Sequence, residues 1–194
     1  MEIVFATGNS HKLQEVNEIV RLLGYADKIK FILPPAEFSP EETGSTFEEN
    51  SLIKAKEAHK LSNMPSLADD SGLCVEALDG APGLYSARYA GTREEKINKL
   101  LFELKDKDNR NAKFVCSMTL LNKEGIKVFS TVGECKGAIT TEIRGLNGFG
   151  YDPIFLVDGT KQTMAEMNED DKNKISHRAR ALQNVINFIV NSNF

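Results

Sequence analysis

Two adjacent carboxylates, Asp69 and Asp70, follow the stretch Ser66-Leu67-Ala68 and precede Ser71-Gly72. Neighbouring residues at the end of a strand project in opposite directions, so the two acids suit different tasks. One can ligate Mg2+ or take a proton from water, while the other orients a helper group. Gly72 lets a ligand approach the backbone. An acidic turn capped by Ser71 would account for the same residues without chemistry. Glu41-Glu42-Thr43-Gly44 is a second source of carboxylate, either a metal arm or a solvated loop. Mg2+ needs only a few carboxylates beside waters and substrate phosphates.

Cations stand in unusual places. Asn9-Ser10-His11-Lys12 and Ile175-Ser176-His177-Arg178 each open an amphipathic run, with a Ser suited to N-capping followed by His and a basic residue. Cations in a first helical turn oppose the helix dipole by a few tenths to about 1 kcal/mol. A bound anion removes the conflict, and two such starts point to a ligand with several phosphates. The alternative for either pair is that it points into water. Gly148-Phe149-Gly150-Tyr151-Asp152-Pro153 sets a ring between two glycines, as a stacking platform or as a plug under a turn. It lacks the third glycine and following helix of a dinucleotide fingerprint. Lys54 shares a helix face with Asn50 and Glu57, and by spacing alone reads as a solvated lysine. His59 reads as structural or surface, and Arg88 as a phosphate or partner-subunit contact.

The elements that must position these residues follow from periodicity and punctuation. The pattern predicts strands over residues 3–7 and 29–33, with a helix over 11–23 between them. Leu13, Val16, Ile19, Val20 and Leu23 form the apolar face of that helix. Thr46 with Glu49 predicts a capping box opening a helix to about Leu61. A strand over 66–68 should stop at the acids. Gly80 to Gly83 reads as a turn, 92–104 as a helix, and 112–121 with 126–137 as a hairpin. Residues 145–153 read as a Gly-rich loop before a short strand, 168–174 as a charged exposed segment, and 176–191 as the last helix. Helices alternating with strands give an α/β class, and the hairpin makes the sheet mixed.

Bulk properties bound the function. The 194 residues carry a net charge of −4, which argues against nucleic-acid binding through bulk charge. Cys74, Cys116 and Cys135 form an odd, scattered set, expected as reduced thiols of a cytosolic protein. No apolar run reaches membrane-spanning length, and residues 1–5 do not read as a signal peptide.

The residues Ala6-Thr7-Gly8-Asn9 through Lys12, Glu42-Thr43-Gly44 with Thr46-Phe47 and Glu49-Asn50, Ala68 through Leu73, Gly80 through Gly83 with Tyr85 through Tyr89, Phe149 through Pro153, and Ile175 through Arg178 occur in that order. Together they resemble the inosine triphosphate pyrophosphatase family, from the first strand to the last helix. The resemblance implies one domain over residues 1–194, with a long mixed sheet flanked by helices and two lobes around a central substrate cleft. It implies a cytoplasmic homodimer that hydrolyses ITP, dITP and XTP to monophosphate and pyrophosphate with Mg2+. By matched position, Asp70 is the proton acceptor and a metal ligand, and Glu42 is the second metal acid, with Glu41 beside it as the other choice. Lys54 lies near the phosphates and Asp69 holds Asp70 or a water. Thr7, Gly8, Asn9, Ser10, His11, Lys12 and Ser71 match substrate-binding positions, as do Phe149, Gly150, Tyr151, Asp152, Lys172, His177 and Arg178. In this scheme Phe149 stacks on the base, and His177, Arg178 or nearby backbone donates to its 6-keto oxygen. A Maf-type pyrophosphatase and a nucleotide-binding protein without catalysis are the competing expectations.

Overall fold

A computed structural model describes residues 1–192 and 194. Its one sheet has six strands in the order β2-β1-β3-β4-β5-β6. These are β1 (Glu2–Phe5), β2 (Lys30–Ile32), β3 (Ser66–Val75), β4 (Asn111–Leu121), β5 (Lys127–Ile139) and β6 (Phe155–Val157). β1 pairs in parallel with β2 and β3, whereas β5 and β6 pair antiparallel, so the sheet is mixed as expected. The helices are α1 (Ser10–Leu22), α2 (Phe47–Ser62), α3 (Arg93–Glu103), α4 (Glu169–Ile175) and α5 (His177–Asn191).

The chain divides into two compact units. The first holds Met1–Asp70, Cys116–Gly133 and His177–Phe194, and the second Ser71–Val115 and Glu134–Ser176. In the first unit the period of two along each strand sorts side chains to opposite faces. Ile3, Phe5 and Leu67 join Val16, Ile19 and Val20 of α1 and Leu182, Val185 and Ile186 of α5 in one core. The alternate residues Val4, Ala6 and Ala68 join Ala55 and Ala58 of α2. Alanines on α2 let that helix lie close to the strands. Each fully buried Leu or Phe in such a core contributes about 1.5–3 kcal/mol. The second unit packs Leu73, Val75, Ile97, Leu100, Phe114, Ile154 and Phe155 together, with the Phe114 and Phe155 ring centroids 4.6 Å apart.

Several local expectations give way. β3 does not stop at the acids; it runs through Asp69-Asp70-Ser71-Gly72 to Val75. Carboxylates are poor strand formers, but here both are buried and bonded to side chains from helices, and this tertiary pairing overrides propensity. The charged segment 168–174 is mostly helix, α4. Asn168 caps it by accepting from the Asp171 N–H, and Glu169, Asp170 and Asp171 complement the dipole. Its Lys172 and Asn173 are buried. Asn9, not Ser10, caps α1, its side chain accepting from the His11 N–H at 2.9 Å. Thr46 caps α2, but Glu49 turns to Ser45 instead of closing the box. The complete capping box is at Thr92 and Glu95 of α3. Between the expected turn at Gly80 to Gly83 and the helix α3, Gly83–Arg88 forms a 3₁₀ helix. Cys74, Cys116 and Cys135 are free thiols. No helix among the described residues is long and apolar enough to cross a membrane.

Candidate active site

Because β3 is continuous, Asp69 and Asp70 face opposite sides of the sheet within the first unit. Asp70 shares its face with Ala68 and meets α2. Asn50 and Lys54, one helical turn apart on α2, both bond it: Asn50 Nδ2 donates to Oδ2 at 3.2 Å, and Lys54 Nζ to Oδ1 at 3.1 Å. The same ammonium lies 2.9 Å from Glu42 Oε1. Lys54 is therefore no solvated lysine; it is 7% exposed. Glu42 is the acid of its loop that reaches it. Burial pushes the Asp70 carboxyl above its ordinary range; Lys54 and Asn50 pull it down and Glu42 pushes it up, and the net shift is upward. Burial also disfavours charge on Lys54, but Asp69, Asp70 and Glu42 outweigh it and raise that pKa.

Asp69 shares its face with Leu67 and meets α1 and α5. Lys12 Nζ lies 3.1 Å from both of its oxygens. Arg178 donates to Oδ2 through Nε at 3.2 Å and Nη2 at 2.8 Å, and its Nη1 reaches Glu15 Oε2 at 2.8 Å. The side chains of Asp69 and Arg178 are each 1% exposed. Burial opposes charge on Asp69, yet Lys12, Arg178 and Lys54 hold its pKa far below the usual carboxylate range. The basic helix starts thus find an anion inside the protein. Lys12 keeps partial exposure, whereas the Arg178 guanidinium is turned inward onto Asp69 and Glu15.

Ahead of α1, the Thr7 hydroxyl accepts from the Asn9 N–H at 3.1 Å. The first N–H groups of a helix have no intrahelical acceptor, and with His11 capped by Asn9 those of Ser10 and Lys12 are left for an outside partner. Gly8, Asn9, Ser10 and His11 are exposed there, and α1 has no acid in its first turn. His177 is buried at the start of α5.

In the second unit, Asp152, Lys172 and Phe149 form one arrangement. Asp152 Oδ2 accepts from the Phe149 backbone N–H at 2.8 Å and from Lys172 Nζ at 2.7 Å. Gly148, at φ 70°, brings its backbone against this carboxylate, and a Cβ there would collide with it. Lys172 Nζ also lies 4.7 Å from the Phe149 ring centroid. Phe149 is 41% exposed, which fits a platform better than a plug. Tyr151 is a core residue whose hydroxyl donates to the Ser86 carbonyl at 3.1 Å, and the Gly150 carbonyl accepts from Arg93. Ser71 is half-buried in β3.

Sequence reasoning gave Asn50 and Glu15 no role. Asn50 was signalled by its spacing of four from Lys54, and Glu15 by its spacing of three from Lys12 on α1. Among the described residues no three His, Cys, Asp or Glu side chains gather as a ready metal site. Glu42 and Asp70 do converge on a single cation, Lys54.

A family model described as the Ham1 family matches residues 3–188. A dITP/XTP pyrophosphatase of Synechocystis sp. is 47% identical over 184 residues, 95% of this chain and 93% of that protein. A dITP/XTP pyrophosphatase of Coxiella burnetii is 48% identical over 192 residues, 94% of each chain. Among solved structures, a HAM1 protein from Coxiella burnetii matches with a TM-score of 0.86 at 45% identity, covering 99% of this chain and 100% of that one. The Staphylococcus aureus Ham1 protein matches with a TM-score of 0.86 at 39% identity, covering 98% of each.

Proposed function

This chain belongs to the Ham1 family, and from that premise we propose that it hydrolyses the non-standard purine nucleoside triphosphates ITP, dITP and XTP to the monophosphate and pyrophosphate. The observation that carries the reading is the buried Asp70, gripped by Asn50 and Lys54 and accompanied by Glu42. A carboxylate whose pKa is raised by burial is a stronger base than a solvated one. Asp70 takes a proton from a water whose oxygen bonds to the α-phosphorus. The bond from that phosphorus to the bridging oxygen breaks, and pyrophosphate leaves with the electron pair. Lys12 and the open N–H groups of α1 hold phosphate oxygens. In the second unit, the exposed side of Phe149 is assigned to the base, with Asp152 and Lys172 fixing the ring.

Mg2+ fits the donor set: two carboxylate oxygens already meet at one cation, and this metal completes its shell with waters and phosphate oxygens. Glu42 and Asp70 would hold it, and when bound it would supply charge neutralisation for the departing pyrophosphate. A cytoplasmic homodimer goes with this reading, its dimeric state to be checked by sedimentation.

The test is pyrophosphate release from ITP, XTP, dITP, GTP and ATP, with and without Mg2+. ITP and XTP should be cleaved far faster than ATP. Preference for pyrimidine or modified nucleotides would favour a Maf-type enzyme, and ITP binding without pyrophosphate release would leave only a nucleotide-binding protein.

A further inference from the structure

The ammonium of Lys54 stands where Glu42 and Asp70 converge. Its distances to Glu42 Oε1 and Asp70 Oδ1 are 2.9 and 3.1 Å, and only 9% of the side chain is exposed. Asp70 does not depend on Lys54 for its position, because Asn50 holds its other oxygen. Lys54 is the group of this cluster with both a full charge and a long flexible stem. A divalent ion on these two oxygens would face an ammonium a few ångströms away, at twice the repulsion between single charges. An ion entering alone would also strip a buried ammonium of two counter-ions, and unpaired buried charge is strongly disfavoured.

We infer that Lys54 gates the metal: in the nucleotide-free protein its ammonium holds the cation's place, and it yields that place when a triphosphate offers it phosphate oxygens. The inference rests on the function proposed above and deepens it into an order of binding. Free divalent ions bind the empty protein weakly. Metal arrives with the nucleotide or after it, and each raises the other's affinity by the same factor. Lys54 is here a positioning residue, acting on the reaction through the metal and the phosphates.

The probe is Mn2+, titrated into nucleotide-free protein and followed by the electron paramagnetic resonance of the free ion. Lys54→Met removes the charge at similar length and should lower the Mn2+ dissociation constant at least about tenfold. Lys54→Arg keeps the charge and should bind as weakly as the unaltered protein. The double variant Glu42→Gln/Lys54→Met should lose the gain, which locates the ion. Lys54→Gln serves the same test if Lys54→Met does not fold. Binding by the neutral variants no tighter than by the unaltered protein overturns the gate, as does a gain that survives loss of Glu42. Release of pyrophosphate from ITP by the unaltered protein is measured alongside. Its absence would sink the proposed function, whereas its presence with unchanged Mn2+ binding in the neutral variants sinks only the gate.

Discussion

Arg178→Met separates two roles that the sequence leaves open for this residue. Methionine keeps the apolar stem and deletes a guanidinium that is bonded to Asp69 through Nε and Nη2 and to Glu15 through Nη1. Both arginine and Asp69 side chains are 1% exposed, so the remaining acid stays in a dry setting with Lys12 as its nearest counter-charge. Removing one partner of a buried pair costs about 3–5 kcal/mol. For a chain of this length 1 kcal/mol moves the melting temperature by about 2–4 °C, so the drop should be about 6–20 °C. Asp69→Asn combined with Arg178→Met should recover part of it, because the stranded charge goes with its partner. The pH dependence has a definite sign. The folded pKa of Asp69 is lowered, so its contribution is complete above the unfolded value of about 3.9 and is lost as pH falls further toward the folded value. The gap between the two proteins is therefore widest near neutral pH and narrows in acid. Thermal unfolding followed by circular dichroism from pH 3 to pH 7 reads all of this. An unchanged melting temperature with a raised KM for ITP would refute the reasoning, since Arg178 would then serve the ligand and not Asp69.

Asp70→Asn should retain the fold, since an amide oxygen still accepts from Lys54, while kcat for ITP falls by roughly 10²–10⁴; full turnover removes Asp70 as the base. In the unaltered enzyme, activity should fall as pH drops through a value above the ordinary carboxylate range, because only the ionised Asp70 accepts a proton and burial raises its pKa. An acid limb at or below that range contradicts the assignment. Phe149→Ala should raise KM, the lost stacking being worth roughly 1–3 kcal/mol, with little change in melting temperature; an unaltered KM would deny Phe149 the base. Gly133→Ala should destabilise by about 1–3 kcal/mol, because the new methyl group collides with the His177 carbonyl and the Ala181 N–H where β5 passes under α5. A variant that melts with the parent would show that this close approach is loose.

What the sequence could reveal depended on whether the physics was local. The apolar stripes of α1 and α5 follow from a period near 3.6, and both helices are where the stripe places them. The opposite directions of Asp69 and Asp70 follow from the strand period of two, and hold although the strand runs on past them. The strand's true end was illegible because two carboxylates break a β pattern unless cations from distant segments neutralise them. Those cations are Lys12, Lys54 and Arg178, separated from the acids by up to 109 positions. The same distance hid the partner of the basic helix starts. A first-turn cation signals that an anion is near; whether it is a phosphate or a buried aspartate is settled only by folding. α4 was overlooked for a different reason. Its seven residues carry five charges and so no apolar face, and only the Asn168 cap and the acidic first turn mark its start.

Charge in the first unit gives a physical reason for the divalent ion in the proposed reaction. Around the two aspartates, four carboxylates (Glu15, Glu42, Asp69 and Asp70) face three cations (Lys12, Lys54 and Arg178). Asp69 and Glu15 share Arg178, Asp69 also takes Lys12, and Glu42 and Asp70 share Lys54. A triphosphate therefore meets side chains whose positive charge is already committed, and the helix N-terminus adds only about half a charge. Such a cluster repels a polyanion unless further positive charge comes with it. Neutralising the acids by mutation would relieve the repulsion but remove the base. Pairing the nucleotide with a divalent cation would relieve it while leaving Asp70 in place, because Glu42 and Asp70 would hold the ion and Lys54 would then be available to the phosphates.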